Sequence, residues 1–398
     1  MQMNISKVTE RVTYCGVNDR TSALFEGLWT LGNGVTYNSY IVRGSDACAI
    51  IDGCEAGHSS VYVNNILKAL DGRSPQYVVV NHVEPDHSGA LPMLRTVFPD
   101  IKFVGNAKTL DMLRGFYGFS DGLIEIHDGD TISLGDRTLS FILTPMVHWP
   151  ETMMTFLKEE GVLFSADAFG CFGALSGAVT DDEMDATRFF PEAYRYYACI
   201  VAKYGVFVQK AIEKCAAIDI KYICSTHGPV WHSHVADIVD IYSKMARWHG
   251  ENGVVIAYGS MYGNTAAMAE QLAARLAEAG VRKIRMYDLS HSDISFVLAD
   301  IMRFKAVVLA SPTYNGGVYP PVETFAIALT ERGITNRAVG VMGSYTWGAA
   351  AARKLTEMFS KTKATVLESQ VQMKQHLIDE VSDSIGSLAG QIVEYLNK

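Results

Sequence analysis

The sequence lacks the long apolar segment that a membrane protein needs. No run of about 18 uncharged apolar residues is present. The start, MQMNISKVTERV, also lacks the apolar stretch of a secretory signal peptide. Long runs of Lys and Arg are missing too, and the formal net charge is −9. These absences argue against a membrane span, an anionic membrane surface and nucleic acid as a partner.

Paired cysteines are also missing. The seven cysteines are scattered and odd in number, and none forms C-x-x-C. They are typical of reduced, mostly buried thiols, which predicts a cytoplasmic protein. Charged residues are sparse at 19%, against 48% hydrophobic residues, so a sizeable core is expected. A length of 398 residues predicts two or three domains.

The chain has two halves with different strand patterns. In the first half, short strands such as 36–42, 47–52 and 222–226 alternate with helical segments, which predicts an α/β sandwich. The second half has buried-type strands separated by helical patterns, which predicts a doubly wound, five-stranded parallel sheet. These strands are 254–258, 283–289, 306–311, 338–343 and 364–369. The polar, glycine-containing stretch 247–253 suggests domains of 1–249 and 250–398.

The segment NHVEPDHSGA directly follows the apolar strand YVVV and holds four possible metal ligands, His82, Glu84, Asp86 and His87. A lone histidine in a loop is more often a surface or hydrogen-bonded residue. The joint spacing H-x-E-x-D-H is improbable by chance and favours metal binding. On an irregular loop four such donors can point at two nearby ions.

Three further donors follow strand ends downstream, namely His148, Asp167 and His227. Strand ends at one edge of a sheet are where α/β proteins build sites. With the loop they make seven donors, four imidazoles and three carboxylates. A carboxylate can bridge two ions, and Asp167 is the natural bridge because it arrives singly.

The loop is similar to that of the metallo-β-lactamase superfamily, usually H-x-H-x-D-H with zinc, but Glu84 replaces the second histidine. A carboxylate is a harder ligand and adds negative charge, which favours iron or manganese and redox chemistry over hydrolysis. Asp52, at the end of the strand AIID, either supports the ligands from behind or caps that strand.

A second set of motifs predicts a flavin site. YGSMYGNT at 258–265 lies between a strand and a helix, where hydroxyls and backbone amides can hold a phosphate. The phosphate contacts would be Ser260, Tyr262, Asn264 and Thr265, and the alternative is an ordinary capped turn.

The loops SPTYNGGVYP and GSYTWGAA follow the next strands, and Tyr314 and Trp347 could stack on an isoalloxazine ring. This half resembles flavodoxin, which implies FMN. The full candidate set is Ser260, Met261, Tyr262, Gly263, Asn264, Thr265, Pro312, Thr313, Tyr314, Asn315, Gly316, Ser344, Tyr345, Thr346, Trp347 and Gly348.

A metallo-β-lactamase-like αββα half followed by a flavodoxin-like half resembles the flavodiiron proteins, or A-type flavoproteins. HWPETM, DAFG, THGPVW and TYNSY also look like family signatures. The resemblance implies one iron on His82, Glu84, His148 and Asp167, and another on Asp86, His87, Asp167 and His227.

The same resemblance implies reduction of dioxygen to water or of nitric oxide to nitrous oxide, with electrons passing through FMN. It also implies an electron donor such as rubredoxin and a head-to-tail homodimer or a dimer of dimers. The chain ends with the flavodoxin-like half, so we expect a separate donor protein.

The chain departs from the family at Phe25-Glu26-Gly27, where many members read F-H-G. Glu26 is therefore a catalytic candidate that would change charge and proton supply near the substrate, or else a solvated loop carboxylate. Two other functions stay open: a dinuclear zinc hydrolase with a flavodoxin-like accessory module, and an electron carrier with a vestigial metal site. Glu84 argues against the first and the complete donor set against the second.

Overall fold

The structure is a computed structural model that describes residues 5–398. The chain packs into two compact units. One comprises the residues up to Tyr197 together with Tyr204–Ser243, and the other comprises Ala198–Lys203 together with Lys244–Lys398. Functional domains of 1–249 and 250–398 stay a prediction.

The first unit contains sixteen short strands in the described residues, many of them continuous apolar runs. Cys48–Ile51 and Met153–Leu157 are buried along their whole length, as strands covered on both faces are. The strands are β1 (Ser6–Lys7), β2 (Val12–Tyr14), β3 (Val17–Asp19), β4 (Leu24–Phe25), β5 (Trp29–Thr30), β6 (Val35–Tyr37), β7 (Tyr40–Arg43), β8 (Cys48–Ile51), β9 (Tyr77–Val79), β10 (Lys102–Gly105), β11 (Leu123–Glu125), β12 (Thr131–Ser133), β13 (Thr138–Leu143), β14 (Met153–Leu157), β15 (Val162–Phe164) and β16 (Tyr222–Cys224).

Two mixed sheets form the body of this unit, in the orders β1-β2-β7-β8-β9-β10-β11 and β12-β13-β14-β15-β16. Small pairs β3-β6 and β4-β5 stand apart. The helices are α1 (Ser59–Leu70), α2 (Pro85–Ser88), α3 (Leu91–Val97), α4 (Ala107–Tyr117), α5 (Phe189–Tyr196), α6 (Gly205–Cys215) and α7 (Val235–Ala246). Single-turn 3₁₀ segments occupy Ala56–His58, Asp181–Glu183 and Ala186–Arg188. The π-helix Tyr197–Val201 and the 3₁₀ segment Ala202–Tyr204 consist mostly of residues of the second unit.

One strand expectation in this half was wrong. The segment 36–42 does not form a single strand, because β6 ends at Tyr37 and β7 begins at Tyr40 in a different sheet. Asn38 lies between them, buried, and its side-chain amide donates to the carbonyls of Ser225 and Gly228 at 2.8 and 2.9 Å. These tertiary hydrogen bonds hold the chain out of strand conformation at Asn38, where the local sequence pattern had predicted one continuous strand.

The second unit is a doubly wound sheet in the order β18-β17-β19-β21-β22, with all four pairings parallel. The sequence prediction is thereby confirmed, and this is the flavodoxin-like order. The strands are β17 (Glu251–Tyr258), β18 (Ile284–Asp288), β19 (Phe304–Tyr314), β20 (Gly317–Val318), β21 (Thr335–Tyr345), β22 (Lys363–Val366) and β23 (Val371–Lys374). The helices are α8 (Asn264–Glu278), α9 (Ile294–Arg303), α10 (Pro320–Glu331), α11 (Ala351–Phe359) and α12 (Asp379–Leu396).

The core of the second unit explains why these segments fold as they do. On α8, Met268, Leu272 and Leu276 recur every four residues and are all buried against Val254 and Ile256 of β17. The strand order reverses between β17 and β19, and open α/β sheets bind ligands in the crevice at such a point. The described residues include no helix that is long and apolar enough to cross a membrane.

Candidate functional site

The structure brings four of the predicted ligands together in the first unit. The Nε2 atoms of His82 and His148 lie 3.2 and 3.0 Å from the same oxygen of Glu84, Oε2. Asp167 Oδ2 completes the group, at 3.0 Å from His148 Nε2 and 3.4 Å from His82 Nε2. Four donor atoms therefore converge on one point from three separate segments of the chain.

The other three predicted ligands form a second group. Asp86 Oδ2 lies 3.3 Å from the Nε2 atoms of both His87 and His227. The sequence had suggested that the ligand loop is irregular throughout. Instead, Asp86 and His87 are on the one-turn helix α2. Pro85 begins that helical turn. The turn places the side chains of Asp86 and His87 in the second group, whereas His82 and Glu84 belong to the first.

Asp167 lies between the two groups and faces both. While its Oδ2 belongs to the first group, its Oδ1 lies 2.9 Å from His87 Nε2 and 3.7 Å from His227 Nε2. Its side chain is buried, and Thr226 Oγ1 donates to Oδ1 at 2.5 Å. This is the arrangement of a carboxylate that can bridge two ions.

Other groups fix the orientation of the histidines. Glu151 Oε1 lies 2.7 Å from His82 Nδ1 and also accepts from the backbone N–H of Val83 at 3.0 Å. The carbonyl of Thr36 lies 2.6 Å from His227 Nδ1. Each of these histidines therefore presents Nε2 to the site, which is how proteins commonly orient a metal-bound imidazole. Sequence reasoning missed both partners, although Glu151 lies within HWPETM.

Asp52 supports the ligand loop without facing the ligands. Its two oxygens accept from the backbone and side-chain amides of Asn81 at 2.7 and 2.9 Å. Burial raises the pKa of this carboxyl group to about 6, against the hydrogen bonds from Asn81. Asp52 thus holds Asn81, the residue at which the ligand loop begins, in position.

The site is strongly polar for a buried place. Burial opposes a charge on His87, but Asp86 and then Asp167 outweigh it and raise the pKa of this imidazole to about 9. For His148, hydrogen bonds to Asp167 and Glu84 likewise outweigh burial and raise the pKa to about 9. The carboxylates therefore require a compensating positive charge. Protons on the imidazoles can supply this charge, and so can metal ions, which displace those protons when they bind.

The donor set fits two metal ions. Both oxygens of Asp86 and Nε2 of His227 are buried and have no hydrogen-bond partner, and such atoms are rare unless a ligand satisfies them. Imidazole nitrogens and carboxylate oxygens bind iron, manganese and zinc, at about 2.0–2.2 Å in the case of zinc. In the first group, donor atoms 3.0–3.4 Å apart can share one such ion.

Glu26 lies at the edge of this site. It is at the tip of the hairpin β4-β5, where Glu26 and Gly27 have φ of 53° and 67° and Leu28 N–H donates to Phe25 O at 2.9 Å. The residue as a whole is exposed. Its carboxyl group accepts from Trp29 Nε1 at 3.2 Å and faces Glu84. Burial of this group, then repulsion from Glu84, raises its pKa to about 7.

Aromatic rings line the side of His227. Phe25, Tyr37 and Tyr196 have ring centroids 5.3, 5.9 and 5.4 Å from its imidazole. The Tyr196 hydroxyl is buried without a hydrogen-bond partner. Gly228 follows with φ of 82°, and a Cβ there would lie 2.3 Å from Cys171 Sγ, so a side chain is excluded.

The second unit holds a cavity of about 670 Å³ at the carboxyl ends of β17, β19 and β21. This volume suits a cofactor. Every residue predicted for the flavin lines it except Gly263. Sequence reasoning missed Ala349, Ala350 and Gln375, of which Gln375 directly follows the unpredicted strand β23.

The turn before α8 is built to receive an anion. Gly263, with φ of 89°, is the N-cap residue of the helix and has no side chain to cap it. Ser260 Oγ accepts from the N–H groups of Gly263 and Ala266 at 3.1 and 3.3 Å, which leaves its own O–H to donate. Thr265 and Ser344 hydroxyls lie 2.8 Å apart, buried in the same cavity. None of the residues that line the cavity is charged, so backbone amides, hydroxyls and the helix terminus must hold a phosphate there.

The rim of the cavity is apolar and open. Trp347 and Tyr262 are 95% and 90% exposed, and Tyr314 is 41% exposed. Three exposed aromatic side chains around one cavity are a feature of ligand- and partner-binding surfaces, whereas single exposed apolar residues are common.

Comparison with known proteins finds a family match in each of the two units. The family model for the ODP family beta lactamase matches residues 35–228, and the model for flavodoxin matches residues 256–384. The chain is 31% identical over 364 residues to a nitric oxide reductase from Moorella thermoacetica, covering 90% of each protein.

Solved structures are similar over nearly the whole chain. The rubredoxin oxygen:oxidoreductase from Desulfovibrio gigas is 26% identical, with a TM-score of 0.94 and 99% of each chain covered. The flavodiiron protein from Giardia intestinalis is 26% identical, with a TM-score of 0.92, covering 100% of this chain and 98% of that one.

A beta-lactamase-like unit with a two-group metal site, followed by a flavodoxin unit, defines a metal- and flavin-dependent class of proteins. Within that class, the chain belongs to the flavodiiron family. The expected fold and family are therefore confirmed, and they imply FMN and a diiron centre as the cofactors.

Proposed function

We propose that this chain reduces dioxygen to water, nitric oxide to nitrous oxide, or both, with electrons that pass through FMN. The observation that carries the proposal is Asp167, whose two oxygens face two adjacent groups of donors. The relatives' names add support, since one is a nitric oxide reductase and another a rubredoxin oxygen:oxidoreductase.

In this proposal, His82, Glu84, His148 and Asp167 hold one iron, and Asp86, His87, Asp167 and His227 hold the other. Two irons and a flavin supply four electrons, which is enough to take dioxygen to water. Glu151 and the Thr36 carbonyl keep His82 and His227 in orientation. Phe25, Tyr37 and Tyr196 limit access of water beside His227.

The direct test is anaerobic stopped-flow of the reduced protein with dioxygen and with nitric oxide, together with iron and FMN quantification. Rapid reoxidation by either gas, at two irons and one FMN per chain, is the expected result. A protein that binds stoichiometric zinc, takes no iron on anaerobic reconstitution and hydrolyses a substrate would instead be the dinuclear zinc hydrolase.

Electrons come from a protein donor of the rubredoxin type, and the working form is a head-to-tail homodimer or a dimer of dimers in the cytoplasm. The name of the Desulfovibrio protein supports the donor. The exposed rim of Trp347, Tyr262 and Tyr314 supports a covering partner at the flavin cavity. The seven cysteines form no disulfide in the structure, which suits a reducing compartment.

Glu26 sets the balance between the two gases in this proposal, because its carboxyl group faces Glu84. Glu26→Gln and Glu26→His should change the ratio of dioxygen to nitric oxide turnover by roughly two- to sixteenfold, since one charge at about 10 Å acts with about 0.4–1.7 kcal/mol for an effective dielectric constant between about 80 and about 20. Iron and FMN content should not change. Glu10→Gln, at an exposed carboxylate, is the control. An unchanged ratio in both Glu26 variants would make Glu26 a loop carboxylate with no role in substrate choice.

Trp347→Ala should weaken FMN binding. Stacking of an aromatic ring system on such a side chain contributes about 1–3 kcal/mol, so the Kd should rise roughly 5- to 150-fold. Trp347 is 95% exposed, so its loss should not reduce the stability of the fold. Trp347→Phe keeps a stacking ring and should retain most of the affinity. Fluorescence titration of the flavin-free protein measures the Kd, and equal affinities in all three proteins would remove Trp347 from the flavin site.

A further inference from the structure

A third group of metal-binding side chains lies outside the two groups at Asp167. It consists of Asp19, Glu55 and His58, and one ligand-type atom from each lies within 4.8 Å of the other two. Asp19 ends β3, whereas Glu55 precedes and His58 ends the 3₁₀ turn Ala56–His58. The group therefore joins two segments that are distant in sequence.

Asp19 is the buried member and has one unsatisfied oxygen. The residue is 1% exposed. Its Oδ1 accepts from Thr21 N, Thr21 Oγ1 and Ser22 N at 2.8, 2.9 and 3.0 Å. Its Oδ2 is buried and accepts no hydrogen bond. A buried carboxylate oxygen without a partner is costly, and a cation would remove that cost.

His58 faces this oxygen at a distance that suits a shared ion. Its Nε2 lies 3.3 Å from Asp19 Oδ2, close enough for an ion pair but without the geometry of a hydrogen bond. Two ligands at about 2.1 Å from one tetrahedral ion are about 3.4 Å apart. The His58 side chain is 23% exposed and Glu55 is half-buried, so an ion can enter from solvent and keep water ligands.

Tyr37 lies between this group and the diiron site. The Tyr37 ring lies 5.6 Å from the ring of His58 on one side and 5.9 Å from that of His227 on the other. The Tyr37 ring thus borders both sets of ligands, and the two sets have no ligand residue in common.

We propose that Asp19, Glu55 and His58 form a site for one divalent first-row transition ion, additional to the two irons. One imidazole with two carboxylates suits Zn²⁺ or Mn²⁺, and the imidazole disfavours Mg²⁺ and Ca²⁺. Two carboxylates with a neutral imidazole match the charge of one such ion. The ion would cross-link the end of β3 to the turn that follows β8.

The test uses the full chain with its iron and FMN loaded. Zn²⁺ is titrated by calorimetry, iron content is measured before and after, and crystals are examined at the zinc absorption edge. We expect one zinc per chain, no loss of iron, and an anomalous peak between Asp19, Glu55 and His58. His58→Ala and Glu55→Gln should each weaken zinc binding at least tenfold, because even partners that only orient ligands contribute about 10–100-fold.

His234→Ala is the matched control, since His234 is also partly exposed and its Nδ1 lies 2.7 Å from Asp237. It should bind zinc as the unaltered protein does. Thermal melts without zinc show whether each variant is folded. Failure to bind a third ion, equal zinc affinity in His58→Ala and the unaltered protein, or zinc uptake only with an equal loss of iron would each overturn the proposal. Tighter binding of Ca²⁺ than of Zn²⁺ would overturn the assignment to a transition ion.

Discussion

Glu84→His is expected to move the metal centre from iron toward zinc and to lower gas reduction by roughly tenfold or more. Glu84 Oε2 lies between His82 Nε2 and His148 Nε2, at 3.2 and 3.0 Å. An imidazole in its place gives one group three neutral nitrogen ligands. It also removes a negative charge that stabilises higher oxidation states of iron. The loop then has the H-x-H-x-D-H spacing of zinc hydrolases.

The measurement is metal analysis of protein reconstituted with equal iron and zinc, followed by turnover with dioxygen and nitric oxide. Glu84→Asp is the control, because it keeps the carboxylate and its charge, and it should retain the preference for iron. FMN content is an internal control, since the flavin cavity contains none of the residues changed. Equal iron loading and turnover in Glu84→His and the unaltered protein would show that Glu84 does not set the choice of metal.

The seven candidate ligands could be proposed from the sequence because each lies in a local pattern. His82, Glu84, Asp86 and His87 share one short loop, and His148, Asp167 and His227 each follow a strand. Local patterns report strand ends well, and strand ends are where α/β sheets place their sites. The grouping of the seven into two sets depends on tertiary structure, and the sequence implied it only through the family resemblance.

The residues that orient the ligands were not predictable in the same way. Glu151 is buried beside His82 only because the loop before β14 meets the loop after β9. The partner of His227 is a backbone carbonyl, that of Thr36, and a carbonyl has no sequence signature. Similarly, the break between β6 and β7 depends on hydrogen bonds from Asn38 to residues nearly two hundred positions later. Such contacts exist only once the fold has formed.

Mixed dimers are expected to recover activity from two inactive proteins. The first variant, His82→Ala with Asp86→Ala, lacks a ligand in each metal group and keeps the flavin cavity. The second replaces Asn264 and Trp347 by Ala and keeps the metal ligands. Each protein alone lacks one cofactor, so each homodimer should be inactive. The pairing relies on the proposed head-to-tail homodimer, in which the flavin of one chain serves the irons of its partner.

A two-fold interface makes both such contacts at once, so a mixed dimer contains one intact flavin opposite one intact diiron site. Electron transfer falls steeply with distance, and the open aromatic rim of Trp347, Tyr262 and Tyr314 supports a cavity that is covered by another surface. After dissociation, mixing and reassociation, random pairing makes about half of the dimers mixed, each with one of two sites working. Activity should therefore return to about a quarter of that of the unaltered protein.

Heterodimer formation is verified with different affinity tags on the two chains, and iron and FMN are counted in the doubly purified fraction. The control mixes the metal-lacking variant with itself under both tags, which should stay inactive. If electrons instead pass from flavin to irons within one chain, every chain in the mixture still lacks one of the two cofactors, and no activity should return. Verified heterodimers without activity would then reject transfer across the interface, while full activity in either homodimer would show that the substituted residues do not hold the cofactors assigned to them.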